Sequence, residues 1–133
     1  MRVIFLVAIC LVVSLGGATR QSSAQDKRYA AVDANNEAKL TVVWANDKDV
    51  ASRRAVAACK RVSKTCSGKA SYTNELDDVF AYVCCETPRF GCSIGVGAEK
   101  ADALAMVRKT FDDAGFSRCR TPRYWSAETG KPL

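Results

Sequence analysis

The residues best equipped for chemistry are six cysteines: Cys59, Cys66, Cys84, Cys85, Cys92 and Cys119. Zinc sites favour paired C-x-x-C spacing, which these residues do not offer. A seventh cysteine, Cys10, lies in an N-terminal apolar run. An even six in a short chain reads as three disulfides, and leaves no spare thiol for nucleophilic work. Histidine is absent, which removes His-based triads, His proton shuttles and His-ligated metals together. No cofactor and no metal is implied.

Two carboxylate pairs come next, Asp77-Asp78 and Asp112-Asp113. Sequence neighbours on a helix diverge by ~100°, so Asp112-Asp113 makes a poor acid/base dyad. Asp77-Asp78 reads as the loop before a strand. The serines have no histidine to activate them. Ser-Lys neighbours occur at Ser63-Lys64 and around Ser71 and Lys69, with nothing in their spacing to separate catalysis from solvation. No Gly-rich phosphate loop is present.

The clearest functional signal is basic. Arg53, Arg54, Lys60, Arg61, Lys64 and Lys69 crowd one stretch, and Arg89, Arg118, Arg120 and Arg123 form a second group. Arg123-Tyr124-Trp125 sets a cation beside two aromatics. Such a surface suits an acidic protein, an anionic glycan or a head-group layer. Specific nucleic-acid binding is not expected. The net charge is +6 over 133 residues, and +4 once Arg2 and Arg20 leave with the leader described next. That is well short of a chain that coats nucleic acid.

These side chains need a compartment and a scaffold. Arg2, then the apolar Val3 to Leu15, then small residues at Ser22 and Ala24, read as a signal peptide over 1–24. Cleavage after Ala18 is the alternative site. The apolar run is shorter than the ~20 residues of a membrane span. The mature chain, 25–133, is one small domain, exported to an oxidising periplasm or beyond, with no membrane span left after cleavage.

The patterning predicts a first strand at Tyr29 to Val32, a turn at Asp33 to Asn36, and a second strand at Lys39 to Trp44. A helix follows from Lys48 to Ser63, capped by Asn46 or Asp47, with Ala51, Ala55, Ala58, Cys59 and Val62 on one face. Val79 to Cys85 and Cys92 to Val96 read as a hairpin turning at Pro88. Gly95 and Gly97 in it signal close backbone approach or a bulge. A second helix, Glu99 to Ala114, carries Leu104, Val107, Phe111 and Ala114 inward and ends at Gly115. An extended segment around Cys119 runs to Trp125, and a polar tail from Ser126 is expected to fray. The halves superimpose at an offset of 53, with Tyr29 on Tyr82, Val43 on Val96, Ala45 on Ala98, Asp49 on Asp102 and Cys66 on Cys119. The predicted fold is therefore α+β: two β-β-α repeats, about 29–76 and 77–125, sharing an antiparallel sheet packed on two helices and stapled by three disulfides.

Trp44-Ala45, then Ala51, Ala55 and Cys59 on the helix, then a loop and Cys66, resemble a family of small exported bacterial domains of unknown function. Those domains carry one or two alanine-rich repeats of the form W-A, A-x-x-x-A-x-x-x-C, C. The resemblance covers about Tyr29 to Trp125. The second half departs, with Gly97 for the tryptophan and Asp112 for the helix cysteine. It implies a fold, export and a Cys59–Cys66 bridge, and no activity. For the other four cysteines, a hairpin folding about Pro88-Arg89 sets Cys85 opposite Cys92 and leaves Cys84 for Cys119. The expected function is a non-enzymatic binding or inhibitory module of the bacterial envelope. A small secreted hydrolase using carboxylates or a Ser-Lys pair, and a membrane-active basic protein, are the alternatives.

Overall fold

The computed structural model describes residues 28–133; the expected signal peptide and Cys10 lie outside the described residues. Among the described residues the elements run β1 (Tyr29–Val32), β2 (Val43–Ala45), α1 (Lys48–Val62), β3 (Ser71–Thr73), β4 (Val79–Thr87), β5 (Gly91–Gly97), α2 (Lys100–Asp113), β6 (Ser117–Cys119) and β7 (Arg123–Ser126). The fold is α+β with antiparallel pairing throughout.

The strands form two sheets where one shared sheet was expected. The first has the order β2-β1-β3; in the second, β4 pairs β5 on one edge and both β6 and β7 on the other. The central strands explain the division. Every residue of Ala30-Ala31-Val32 and of Phe80 to Cys85 is buried, so both faces of each sheet need a cover. Both edges of β1 and of β4 are already occupied. The sheets therefore pack face to face, with a helix on each outer face.

Pleating sorts the side chains. Ala30, Val32, Phe80, Tyr82, Cys84, Ile94 and Trp125 share the core between the sheets. Ala31 and Ala45 face Ala51 and Ala55 of α1. Ala81, Val83 and Cys85 face Ala103, Val107 and Phe111 of α2. The sheets are tied on both flanks: Ser71 Oγ donates to the Ile94 carbonyl, and Trp44 Nε1 donates to the Ala127 carbonyl at 2.8 Å.

Asp47 is the N-cap of α1, its carboxylate accepting from the N–H groups of Asp49 and Val50. Val62, expected inward, is exposed. On α2 the buried residues are Ala103, Val107 and Phe111; Leu104 is half-buried and Ala114 exposed. Gly95 and Gly97 sit in close approach to α2. A Cβ built on Gly95 would stand 2.1 Å from the Ala103 carbonyl oxygen. Smallness thus lies on the helix in the first half and on the strand in the second.

Three further expectations are corrected. The turn expected at Asp33 to Asn36 falls at Asn36-Glu37, with Asp33 and Asn35 buried before it. The tail does not fray: the Leu133 N–H donates to the Tyr124 carbonyl at 2.9 Å, and Ala127 is fully buried. The offset of 53 fails on parity, because Tyr29 packs on the α1 side while Tyr82 lies between the sheets.

Three disulfides join the described cysteines: Cys59–Cys66, Cys84–Cys92 and Cys85–Cys119. The first matches the pairing the resemblance implies. The other two are exchanged relative to expectation. The β4–β5 hairpin is centred on Pro88, which sets Cys84 opposite Cys92 and Cys85 opposite Gly91. Centring it between Pro88 and Arg89 is a slip of one residue in register, enough to swap both partners.

Candidate functional site

Arg53, Arg54, Lys60 and Arg61 project from α1, while Lys64 and Lys69 follow the extended C-cap Ser63. Residues 53, 57 and 60 follow helical spacing, so Arg53 and Lys60 line one exposed stripe, separated by about 10 Å of rise. The stripe borders a groove of about 470 Å³ lined by Ser52, Arg53, Val56, Ala57, Lys60, Gly68, Lys69 and Ala70. Its floor is apolar, through Val56, Ala57 and Ala70. Its walls carry Arg53, Lys60 and Lys69, with no acidic lining residue. Among the described residues, Arg53, Lys60, Arg61, Lys64 and Lys69 make no ion pair. Arg54 is committed elsewhere, its Nη1 donating to the Trp44 carbonyl at 2.9 Å.

Gly68, Lys69 and Ala70 on the far side of the groove belong to a loop anchored by Asp33. The Asp33 carboxylate is buried at the end of β1. It accepts from Ser67 Oγ and from the Gly68 N–H, pinning the loop that presents Lys69. Asp33 also lies within 4.8 Å of the Cys59 and Cys66 sulfurs. With the sulfurs bonded to each other, the carboxylate acts here as a loop anchor.

Arg123, Tyr124 and Trp125 belong to the other sheet, away from α1. The Arg123 guanidinium stacks over the Trp125 ring at 5.1 Å. Trp125 is 4% exposed and packs edge-on against Tyr82, so it is a core support rather than a contact surface. Tyr124 is half-buried against α2, under the Lys100 ammonium. The first and second basic groups therefore occupy different sheets.

The carboxylate pairs do not converge. Asp78 accepts from Thr73 Oγ1, joining β3 to the start of β4. Asp113 pairs with Lys109 at 2.8 Å on the exposed side of α2. Among the described residues no serine hydroxyl meets a lysine amine: Ser63 bonds Glu37 and Thr65, and Ser71 bonds Ile94.

Sequence reasoning missed Tyr82 and Asn35. The buried Tyr82 hydroxyl donates to the Asn35 carbonyl at 2.6 Å. The Asn35 side chain in turn holds the following loop, through the Glu37 and Lys39 N–H groups and the Lys39 carbonyl. Their signal was faint: a tyrosine amid a strand and an asparagine in a run read as a turn. Burial holds the Tyr82 phenol above its ordinary pKa of 10.0. A raised value means stability that is whole below the ordinary pKa and is lost as pH climbs through the folded one. Urea midpoints of the wild type are therefore expected to fall above pH ~10 more steeply than those of Tyr82→Phe. Parallel curves would remove Tyr82 as the cause.

Comparison with protein-family models, with curated proteins and with solved structures finds no match.

Proposed function

We propose that this chain is an exported, non-enzymatic binding or inhibitory module of the bacterial envelope, whose α1 groove takes an acidic partner. The partner is an acidic envelope protein or an anionic glycan. The observation that carries this reading is the groove itself: three exposed cations without ion pairs flank an apolar floor, and no carboxylate lines it. Cations left unpaired beside apolar surface favour a ligand with anionic groups and an apolar or ring-faced backbone. Export is supported by the signal-like leader and by disulfide geometry at all six mature cysteines, which suits an oxidising compartment. No helix among the described residues is long and apolar enough to cross a membrane.

The reading also takes the two halves as repeats. Each half has a central strand paired on both edges and covered by one helix, with β6 the extra strand of the second half. Tyr29 faces Ala45 in the first half and Val79 faces Gly97 in the second. Ala30 faces Thr73, and Phe80 faces Trp125. These registers equate β1 with β4 at an offset of 50, and β2, α1 and β3 with β5, α2 and β7 at an offset of 52. The same offset equates the N-caps Asp47 and Glu99. Face parity is then preserved, with Ala31 and Ala81 both toward a helix. On this alignment α2 replaces Arg53 with Ala105 and Ala57 with Lys109, so the groove is a property of the first unit.

Immobilised poly-glutamate and polygalacturonate test the function. The wild type is expected to be retained on at least one at low ionic strength, and released as salt shortens the screening length below ~10 Å. Arg53→Glu/Lys60→Glu/Lys69→Glu should reduce retention at least about tenfold, with unchanged circular dichroism. Equal retention of variant and wild type would overturn the groove as the binding surface.

A further inference from the structure

We propose that the end of the sandwich carrying Arg120 and Arg123 is a second binding site, for a monosaccharide-sized organic acid: a sugar ring bearing a carboxylate or a phosphate. A cavity of about 220 Å³ opens there, lined by Asn36, Glu37, Ala38, Tyr82, Cys84, Phe90, Arg120, Thr121 and Arg123. Five segments converge on it: the β1–β2 loop, the inner face of β4, the β4–β5 turn, the β6–β7 connection and the start of β7. The volume is below the ~300 Å³ at which drug-sized pockets begin, and equals about seven waters at ~30 Å³ each. One sugar ring fills such a space.

Two arginines give the site its sign. The Arg120 guanidinium lies 4.8 Å over the Phe90 ring, and that of Arg123 lies 5.1 Å over Trp125. Stacking fixes each planar fork before a ligand arrives, which lowers the ordering cost of binding. Arg120 uses its Nε on Glu86 at 3.2 Å. Among the described residues its Nη groups, and the whole Arg123 fork, meet no carboxylate. The one acid on the cavity wall, Glu37, is spent on Lys39 Nζ at 2.9 Å and on the Ser63 hydroxyl. Paired donor forks of this kind match the oxygens of a carboxylate or phosphate.

The rest of the wall suits a hydroxylated ring. The Asn36 amide and the Thr121 hydroxyl line the cavity and make no side-chain hydrogen bond among the described residues. Phe90, 38% exposed, stands at the rim with the Arg120 guanidinium over its ring. The backbone is held in place for the task. Ala38 adopts φ 58° and Arg118 adopts φ 57°, left-handed conformations that non-glycine residues hold only when their surroundings impose them. Asn35 imposes the first. The Cys85–Cys119 bridge and the Arg120 N–H bond to the Cys84 carbonyl anchor the segment holding the second. Cys84–Cys92 fixes the hairpin that carries Phe90. Two of the disulfides thus brace this one cavity.

The test is a heteronuclear NMR titration of the mature protein with D-glucuronate, D-glucose 6-phosphate and, as neutral control, D-glucose. Saturable shifts at Asn36, Thr121 and Arg123 are expected with at least one acid, at a Kd of about 1 mM or tighter. The acid that binds tells carboxylate from phosphate. Arg123→Lys, which keeps the charge and loses the fork, should weaken binding about tenfold, as should Arg120→Ala. Arg53→Glu/Lys60→Glu should leave it unchanged, which separates this site from the α1 groove. No saturable shift with either acid, equal shifts with neutral glucose, or full binding in both arginine variants would overturn the proposal.

Discussion

Gly95→Ala is expected to cost about 4 kcal/mol or more, a large share of the ~5–15 kcal/mol that holds a domain of this size together. The added methyl would lie 2.1 Å from the Ala103 carbonyl oxygen and 2.7 Å from the Val107 nitrogen. Both are backbone atoms of α2, so no rotamer change relieves the contact. The helix must retreat from β5, and its retreat opens the cluster of Ala103, Val107 and Phe111 under Ala81, Val83 and Cys85. Overpacking alone typically costs ~1–3 kcal/mol; the lost burial adds to it. Gly68→Ala is the control. Gly68 has φ +77° with open space around its Cβ position, so that variant carries conformational strain of about 1 kcal/mol and no collision. Urea unfolding of the two variants separates the effects. If Gly95→Ala lost no more than Gly68→Ala, α2 would not pack on β5 as described.

Removing the Cys85–Cys119 bridge is the second large effect. It closes 34 residues, whereas Cys84–Cys92 closes 8. On the chain-entropy account the longer loop contributes about 3.8 kcal/mol and the shorter about 2.5 kcal/mol. Cys85→Ala/Cys119→Ala should therefore be the less stable of the two double variants by about 1 kcal/mol. The connectivity itself has a direct check. Cys84→Ala/Cys92→Ala should show no free thiol after denaturing alkylation, whereas Cys85→Ala/Cys92→Ala should show two, from Cys84 and Cys119. The reverse pattern would restore the pairing expected from the sequence and displace the hairpin register by one residue.

That exchange shows what kind of information the chain carries openly. Cys84 and Cys85 must point to opposite faces in any strand, and the sequence says so. Which of them meets Cys92 depends on whether the turn centres on Pro88 or between Pro88 and Arg89, and both fit Thr87-Pro88-Arg89-Phe90. The basic residues behave likewise. Arg53, Lys60 and Lys69 are legible as exposed cations, since α1 turns its alanines inward. Arg120 and Arg123 stand out only as charges. Their stacking on Phe90 and Trp125, and the cavity they share with Asn36 and Thr121, join segments more than 80 residues apart.

The sequence by itself determined the local properties: the even six cysteines of the described chain, α1 with a cap at Asn46 or Asp47, α2 ending at Gly115, and a close approach or bulge at Gly95 and Gly97. Each follows from neighbours within a turn or two of chain, where periodicity and steric limits act directly. The tertiary structure decided the two stacked sheets, the exchange of disulfide partners, the folded-back tail and the cavity at the end of the sandwich. These depend on strand register and on which face meets which. With a side-chain period of two, a shift of one residue reverses every face at no local cost. Only the fit of the whole core, between Val32, Phe80, Tyr82 and Trp125, selects one answer.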